Sequence, residues 1–394
     1  MTTTPPATPP ADAPAPDFTP EQLARGRALR RAQLPWVLGG RAAGLALTLV
    51  LGLTPAGARL VAWCGPGWAA RVLGGAALLV LLGQLLELPF GARVRVVRRA
   101  YGLVTQGWGG WAVDRLRSLL LGLALALPTA LGVYALTGWS TRWWWVPAAL
   151  GAAALTVLFS FLFPLVVEPL FNRFGPMPAG EQRTALLALA ERDGVAVRDV
   201  LVADASRRTT ALNAYVSGFG ATRRIVAYDT LLATAAPREV ELVVAHELGH
   251  VKHRDVPLGT ALGAVGAAVA VAVLAAVAGW QPLLAAAGAT DLADPRSLPL
   301  LAACAAVLGA LTGPVQAAVS RRVEARADRH ALELTGDPDQ FVAMQRRLAL
   351  TNVADVDPPR VLELLFATHP STARRIAAAR QWAADAADRP SEPR

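Results

Sequence analysis

The chain has 394 residues, 54% of them hydrophobic, with a mean hydropathy of +0.39 and a formal net charge of +9. The apolar residues are gathered into long runs, which suits membrane spans and argues against an ordinary soluble enzyme. The cationic excess is almost wholly arginine, Lys252 being the one lysine. No basic stripe carries interleaved aromatics, so the charge speaks against a nucleic-acid partner and for loops facing anionic lipid.

Residues 1–34 divide into a Pro/Thr/Ala-rich tail over 1–18, which has too few bulky apolar side chains to order itself, and a short basic lead-in. The tail lacks the charged start and apolar stretch of a signal peptide. A membrane region with four spans is expected over 35–168, at about 36–58, 69–90, 116–138 and 144–167, each near the ~20 residues needed to cross hydrocarbon. Trp143, Trp144 and Trp145 suit an interfacial belt. Residues 169–256 carry mixed charge and read as a polar folded unit, two further spans follow within 257–319, and 320–394 is polar again. The predicted fold is therefore mainly α: a polytopic helical membrane protein of about six spans with an inserted α+β domain. Cys64 and Cys304 fit no zinc or disulfide spacing and read as buried small residues.

Six spans put both termini on one side. Arginines crowd the lead-in, the 93–115 loop and the segment after the last span, while the opposite loops are short and poor in charge. The positive-inside rule then predicts a multi-pass cell-membrane protein whose termini and polar domain face the cytoplasm.

Within the polar domain, 181–193 reads as an amphipathic helix stopped at Asp193-Gly194. Val195–Val197 and Val200–Val202 are strand candidates. Asn213–Val216 and Arg224–Tyr228 read as a hairpin joined through Gly218 and Gly220. Pro237 opens a further helix with Glu239 and Glu241 in its first turns. That helix carries Ala245-His246-Glu247-Leu248-Gly249-His250. Four residues advance about 400° on a helix, so His246 and His250 leave one face a turn apart and can chelate one divalent ion. Glu247 stands beside them, where its carboxylate could reach a water on the metal. The competing explanation is chance spacing.

Zinc catalysis needs three protein ligands and an open position. Among the remaining histidines, His253 could join the pair only if the helix continued past Arg254-Asp255-Val256-Pro257, which reads as its end. A carboxylate is the natural third ligand. Glu324 and Asp328 lie four apart on a helix leaving the last span, which suggests Glu324 on the metal and Asp328 behind a ligand imidazole. The alternative is a solvated face with intrahelical Glu–Arg pairs.

With these motifs in order, the chain resembles the type I CAAX prenyl endopeptidases, polytopic membrane zinc metallopeptidases of the gluzincin class. Leu88-Pro89-Phe90 with Tyr101-Gly102-Leu103, Pro169–Phe174 and Arg223–Leu232 resemble further family segments, and Arg-x-x-Glu-x-x-Ala-Asp ends in Asp328. The resemblance implies one zinc per chain, held by His246, His250 and Glu324, with Glu247 as general base. It implies a substrate edge strand at Asn213-Ala214-Tyr215, so that Asn213 and Tyr215 meet the peptide. It places His369 and Arg375 near the scissile carbonyl. It also implies a peptide or membrane-protein substrate, lipidated or plain, met at the bilayer surface. The chain departs from the family in carrying Arg208–Leu212 where a histidine usually precedes Asn-Ala-Tyr, and in having one span fewer than the eukaryotic members. Alternative readings are a heat-shock-type quality-control protease and a non-catalytic membrane scaffold.

Overall fold

The computed structural model describes residues 17–388. Most of the tail expected to be disordered lies outside them. Its last two residues are ordered instead: Phe18 is buried against Ile376, Ala349 and Val356, and Asp17 takes a bidentate ion pair from Arg380.

Among the described residues, six helices are long and apolar enough to cross a membrane. They are α1 (Pro20–Leu53), α3 (Trp68–Ala100), α4 (Trp108–Trp139), α5 (Trp145–Leu162, continued to Phe171), α10 (Asp255–Ala278) and α12 (Leu298–Thr335). The basic lead-in and first span are one helix, α1, started by a Thr19–Gln22 capping box. It stops at Thr54 because Pro55, lacking an N–H, opens the separate short helix α2 (Pro55–Ala62). Leu120, Leu158, Val265 and Leu311 remain exposed on these helices. Such a surface is costly in water and suited to lipid.

At one end of the bundle, α2, α11 (Gln281–Ala287) and the turn Pro295–Ser297 pack together. There Tyr134 and Ser297, both buried, share a 2.7 Å hydroxyl–hydroxyl hydrogen bond. Cys64, in the turn after α2, and Cys304, on α12, are half-buried, not buried as expected.

The polar unit is built from two separated stretches. A π-helical turn (Phe163–Val167) and α6 (Glu168–Phe171) lead from the fourth span into strand β1 (Phe174–Pro176), followed by α7 (Glu181–Arg192), β2 (Asp199–Ala203), β3 (Ala214–Ser217), β4 (Arg224–Tyr228), α8 (Asp229–Thr234) and α9 (Pro237–Lys252). The sheet order is β1-β2-β4-β3, with only β2 and β4 parallel, so β3 is an edge. The expected hairpin is present. The strand expected over Val195–Val197 is not: this stretch has no partner strand, and Val195 is buried in the core as a loop residue. The unforeseen β1 pairs with β2 instead. After α12, the chain adds α13 (Pro338–Thr351), α14 (Arg360–Phe366) and α15 (Thr372–Ala387). Phe341 and Met344 from this second stretch bury themselves with Leu186, Ile225 and Leu248 of the first. One hydrophobic core therefore fixes the two stretches together.

Replacing Tyr134 by Phe removes the buried hydroxyl pair and is expected to cost about 1 kcal/mol. A lowered melting temperature in detergent, with little further loss on adding Ser297→Ala, is the expected result of that double-mutant series.

Candidate metal centre

Helix α9 is set by both its ends and one face. Pro237 supplies the fixed φ of the first turn, and the Glu239 carboxylate accepts the Ala236 N–H at 2.8 Å. Val240, Leu242, Val244 and Leu248 are buried against the sheet side, which fixes the rotation of the helix. His246, Glu247 and His250 then present ligand atoms all within 4.8 Å of one another.

Helix α12 brings the rest. A Cβ at Gly249 would lie 3.1 Å from the His330 side chain and 3.3 Å from the Ala327 Cα, so glycine lets α9 and α12 cross almost at backbone distance. Glu324 and Asp328 are buried at this crossing, not on a solvated face. Glu324 Oε2 lies 3.2 Å from His246 Nε2, and Glu324 Oε1 lies 3.7 Å from His250 Nε2. Tetrahedral zinc with bonds of ~2.0–2.1 Å separates its ligand atoms by roughly 3.3 Å, and these spacings bracket that value.

Two further observations test the fit. Glu324 Oε2 is buried and completes no well-directed hydrogen bond, although the His246 and His369 Nε2 atoms each stand 3.2 Å from it, an arrangement that favours a cation among them. Burial disfavours the His246 imidazolium, but Asp328 and Glu324 more than offset this and push its pKa up to about 9. The carboxylates thus draw positive charge to this spot, as a proton or as a metal ion. Two imidazoles and a carboxylate are the donor set of a catalytic zinc site, and the adjacent glutamate stands where a general base would.

Each imidazole is backed by a carboxylate on its far nitrogen. Asp328 Oδ1 lies 2.9 Å from His246 Nδ1, and Asp255 Oδ2 is hydrogen-bonded to His250 Nδ1 at 2.9 Å. Both contacts leave Nε2 turned to the metal position. Asp255 was not foreseen as a site residue. It opens α10 after a reversal at Arg254, whose backbone is left-handed (φ 56°), and Arg326 pairs with its other oxygen. The sequence marked that point only as a helix end. His253 turns away and stacks edge-on with His330, their ring centres 5.5 Å apart.

The C-terminal pair takes two positions. His369, half-exposed in the loop before α15, places Nε2 3.2 Å from Glu324 Oε2, and its Nδ1 meets Thr368 Oγ1 at 2.9 Å. Arg375 is part-buried and grips Asp328 with Nε at 2.7 Å and Nη2 at 2.5 Å. Burial lowers the His369 pKa and raises that of Glu247. Ser371 stands at the N-cap position of α15, yet its side chain makes no capping bond.

Just before the edge strand, Asn213 is exposed and its carbonyl accepts the Tyr228 N–H at 3.0 Å. The Tyr215 hydroxyl donates to Glu168 at 3.4 Å, and Ser217 reaches the same carboxylate at 3.2 Å. Burial and then the Glu168 charge raise the Tyr215 pKa. Strand β3 packs against α9, which joins the edge strand to the metal helix.

Comparison with known proteins follows this geometry. Residues 176–383 match the profile of peptidase family M48, and residues 7–173 match that of the CAAX prenyl protease N-terminal region with five membrane helices. The chain belongs to peptidase family M48. It is 30% identical over 320 residues to the uncharacterized metalloprotease YhfN of Bacillus subtilis, spanning 78% of this chain and 72% of that protein. It is 24% identical over 333 residues to a CAAX prenyl protease 1 homolog of Caenorhabditis elegans, spanning 77% and 75%. In structure it is similar to Ste24p of S. mikatae, with a TM-score of 0.83 over 92% of this chain and 90% of that one, at 20% identity. This M48 chain is a membrane-embedded zinc metalloendopeptidase acting on protein substrates.

Asp255→Asn keeps the shape but weakens the support of His250. It is expected to lower zinc affinity roughly 10–100-fold. Competition against a chromophoric chelator checks this, and wild-type affinity would show that Asp255 does not support the ligand.

Proposed function

We propose that this peptidase cuts extended peptide segments at the cytoplasmic face of the cell membrane, with His246, His250 and Glu324 holding zinc. The convergence of those three side chains beside Glu247, where α10 and α12 leave the bundle, carries the reading. When bound, the zinc ion supplies Lewis-acid activation of water and of the scissile carbonyl. Glu247 takes the proton of the attacking water and later passes it to the leaving amine. Its raised pKa, caused by burial, suits a group that must hold a proton between the two steps. His369, its pKa lowered by burial, serves as a hydrogen-bond donor to the oxyanion that develops on the carbonyl. Arg375 acts through Asp328, fixing the carboxylate that orients His246. The open edge of β3, which follows Asn213, aligns the peptide by strand addition, with Tyr215 on the flanking face.

The cytoplasmic orientation rests on the arginines. Arg25, Arg27, Arg31, Arg93, Arg98 and Arg99 lie at the end of the bundle that carries the polar unit, opposite α2 and α11. With Cys64 and Cys304 changed to Ser, a Thr290→Cys chain in intact cells is expected to react with a membrane-impermeant maleimide. Protection of that cysteine until the cells are lysed would reverse the topology.

The reaction is tested with purified protein in nanodiscs against prenylated and plain peptides of one sequence. Glu247→Gln is expected to keep zinc and lose at least about 10³-fold in kcat. Equal cleavage by wild type and variant would refute the assignment of the base. The peptide pair reads out lipid recognition: a lower KM for the prenylated form supports a lipidated substrate, and equal KM values support general cleavage of membrane-proximal segments.

A further inference from the structure

We propose that Asn352 is a register stop for the substrate, capping one end of the open edge of β3. The inference rests on the reading that the peptide pairs with that edge. In the β3–β4 ladder the Asn213 carbonyl accepts the Tyr228 N–H, so residue 213 points its backbone inward to the sheet. Backbone direction alternates along a strand, so Leu212, Ala214 and Val216 point theirs outward, to the side where a peptide would add. The Leu212 N–H is already taken: Asn352 Oδ1 accepts it at 3.2 Å. The side-chain amide stands where the carbonyl of a paired peptide would stand. It therefore ends the available edge and leaves the outward groups of Ala214 and Val216 for the substrate.

The stop is held from several sides. Asn352 is the C-cap residue that follows α13, and Val353 comes next with φ 48°, a left-handed backbone that a β-branched residue rarely adopts. The Val353 N–H goes to the Leu350 carbonyl and the Ala354 N–H to the Ala349 carbonyl, a helix-ending pattern that normally uses glycine. Val353 is kept there by burial against Leu29 of α1 and Leu103 of the loop after α3. A Cβ at Gly26 would collide with the Ala354 carbonyl, and Arg30 pairs with Asp355, so α1 lies directly against this turn. The same membrane-side loop straps the approach to β3: Thr209 Oγ1 donates to the Leu103 carbonyl and Thr210 Oγ1 to that of Gly102, each at 3.0 Å. Stop and strand are thereby fixed to one support. A fixed stop defines which residue of the peptide lies opposite Ala214, and so which bond reaches the metal.

The test reads where the cut falls. The panel peptide with the highest kcat/KM is digested to low conversion, and the products are identified by mass spectrometry. Wild type is expected to give one product pair. Asn352→Ala frees the Leu212 N–H, and a second pair is expected with the scissile bond moved by two residues, the smallest shift that keeps each side chain on its face. Asn352→Asp retains the acceptor oxygen and is expected to keep the single cut. A single wild-type cut from Asn352→Ala at unchanged kcat/KM would overturn the proposal. So would a plain loss of activity without a shifted product, or shifted products from both variants. Val216→Pro separates the underlying reading, because it removes an outward N–H while leaving the ladder bonds intact. If its KM matches wild type at full zinc content, edge pairing itself is wrong. If its KM rises while Asn352→Ala cuts as wild type does, only the register stop is wrong.

Discussion

The metal centre depends on two helices from distant parts of the chain crossing at nearly backbone distance. Gly249 of α9 makes this possible, because any Cβ there would press on His330 and Ala327 of α12. The crossing sets Glu324 against His246 and His250, and it places Asp328 behind His246. Helix α12 runs from the bundle directly into the polar unit, so Glu324, the proposed third ligand, is anchored to the membrane helices. The geometry of the site and the packing of the bundle are therefore one problem.

Bringing four carboxylates to two imidazoles would be prohibitive without compensating charge. Arg375 neutralises Asp328 and Arg326 neutralises Asp255. Each arginine holds an acid that holds an imidazole. Among the described residues no arginine pairs with Glu324, and its buried Oε2 faces only imidazole nitrogens. The imbalance is concentrated where the metal belongs, while the supporting residues are already paired. Arg375, on α15, also links this balance to the N-terminus, since α15 carries Arg380 and Ile376, which seat Asp17 and Phe18.

Much of this was legible in the sequence because it was periodic. The six spans were visible as apolar runs, and the pairs His246/His250 and Glu324/Asp328 as four-residue spacings on helices. The hairpin was visible as two apolar strands around Gly218 and Gly220. What escaped was set by contacts without a period. Asp255 joins the site through a single left-handed residue, Arg254, and nothing local marks that reversal. Asn352 meets Leu212 across 140 positions of sequence. Val195–Val197 has strand composition, but a strand needs a neighbour, and the sheet closed on β1 instead. Arg375 was placed by resemblance near the reacting carbonyl; the structure shows its guanidinium on Asp328, a partner that spacing alone could not name.

The most direct test of the metal centre is the zinc content of Glu324→Gln, a change that keeps the size of the side chain and removes its charge. After dialysis against a weak chelator, wild type should retain one zinc ion per chain, while the variant should retain none and still show a cooperative melting transition. A Glu324→Gln protein that keeps one zinc ion per chain under the same dialysis would contradict the account.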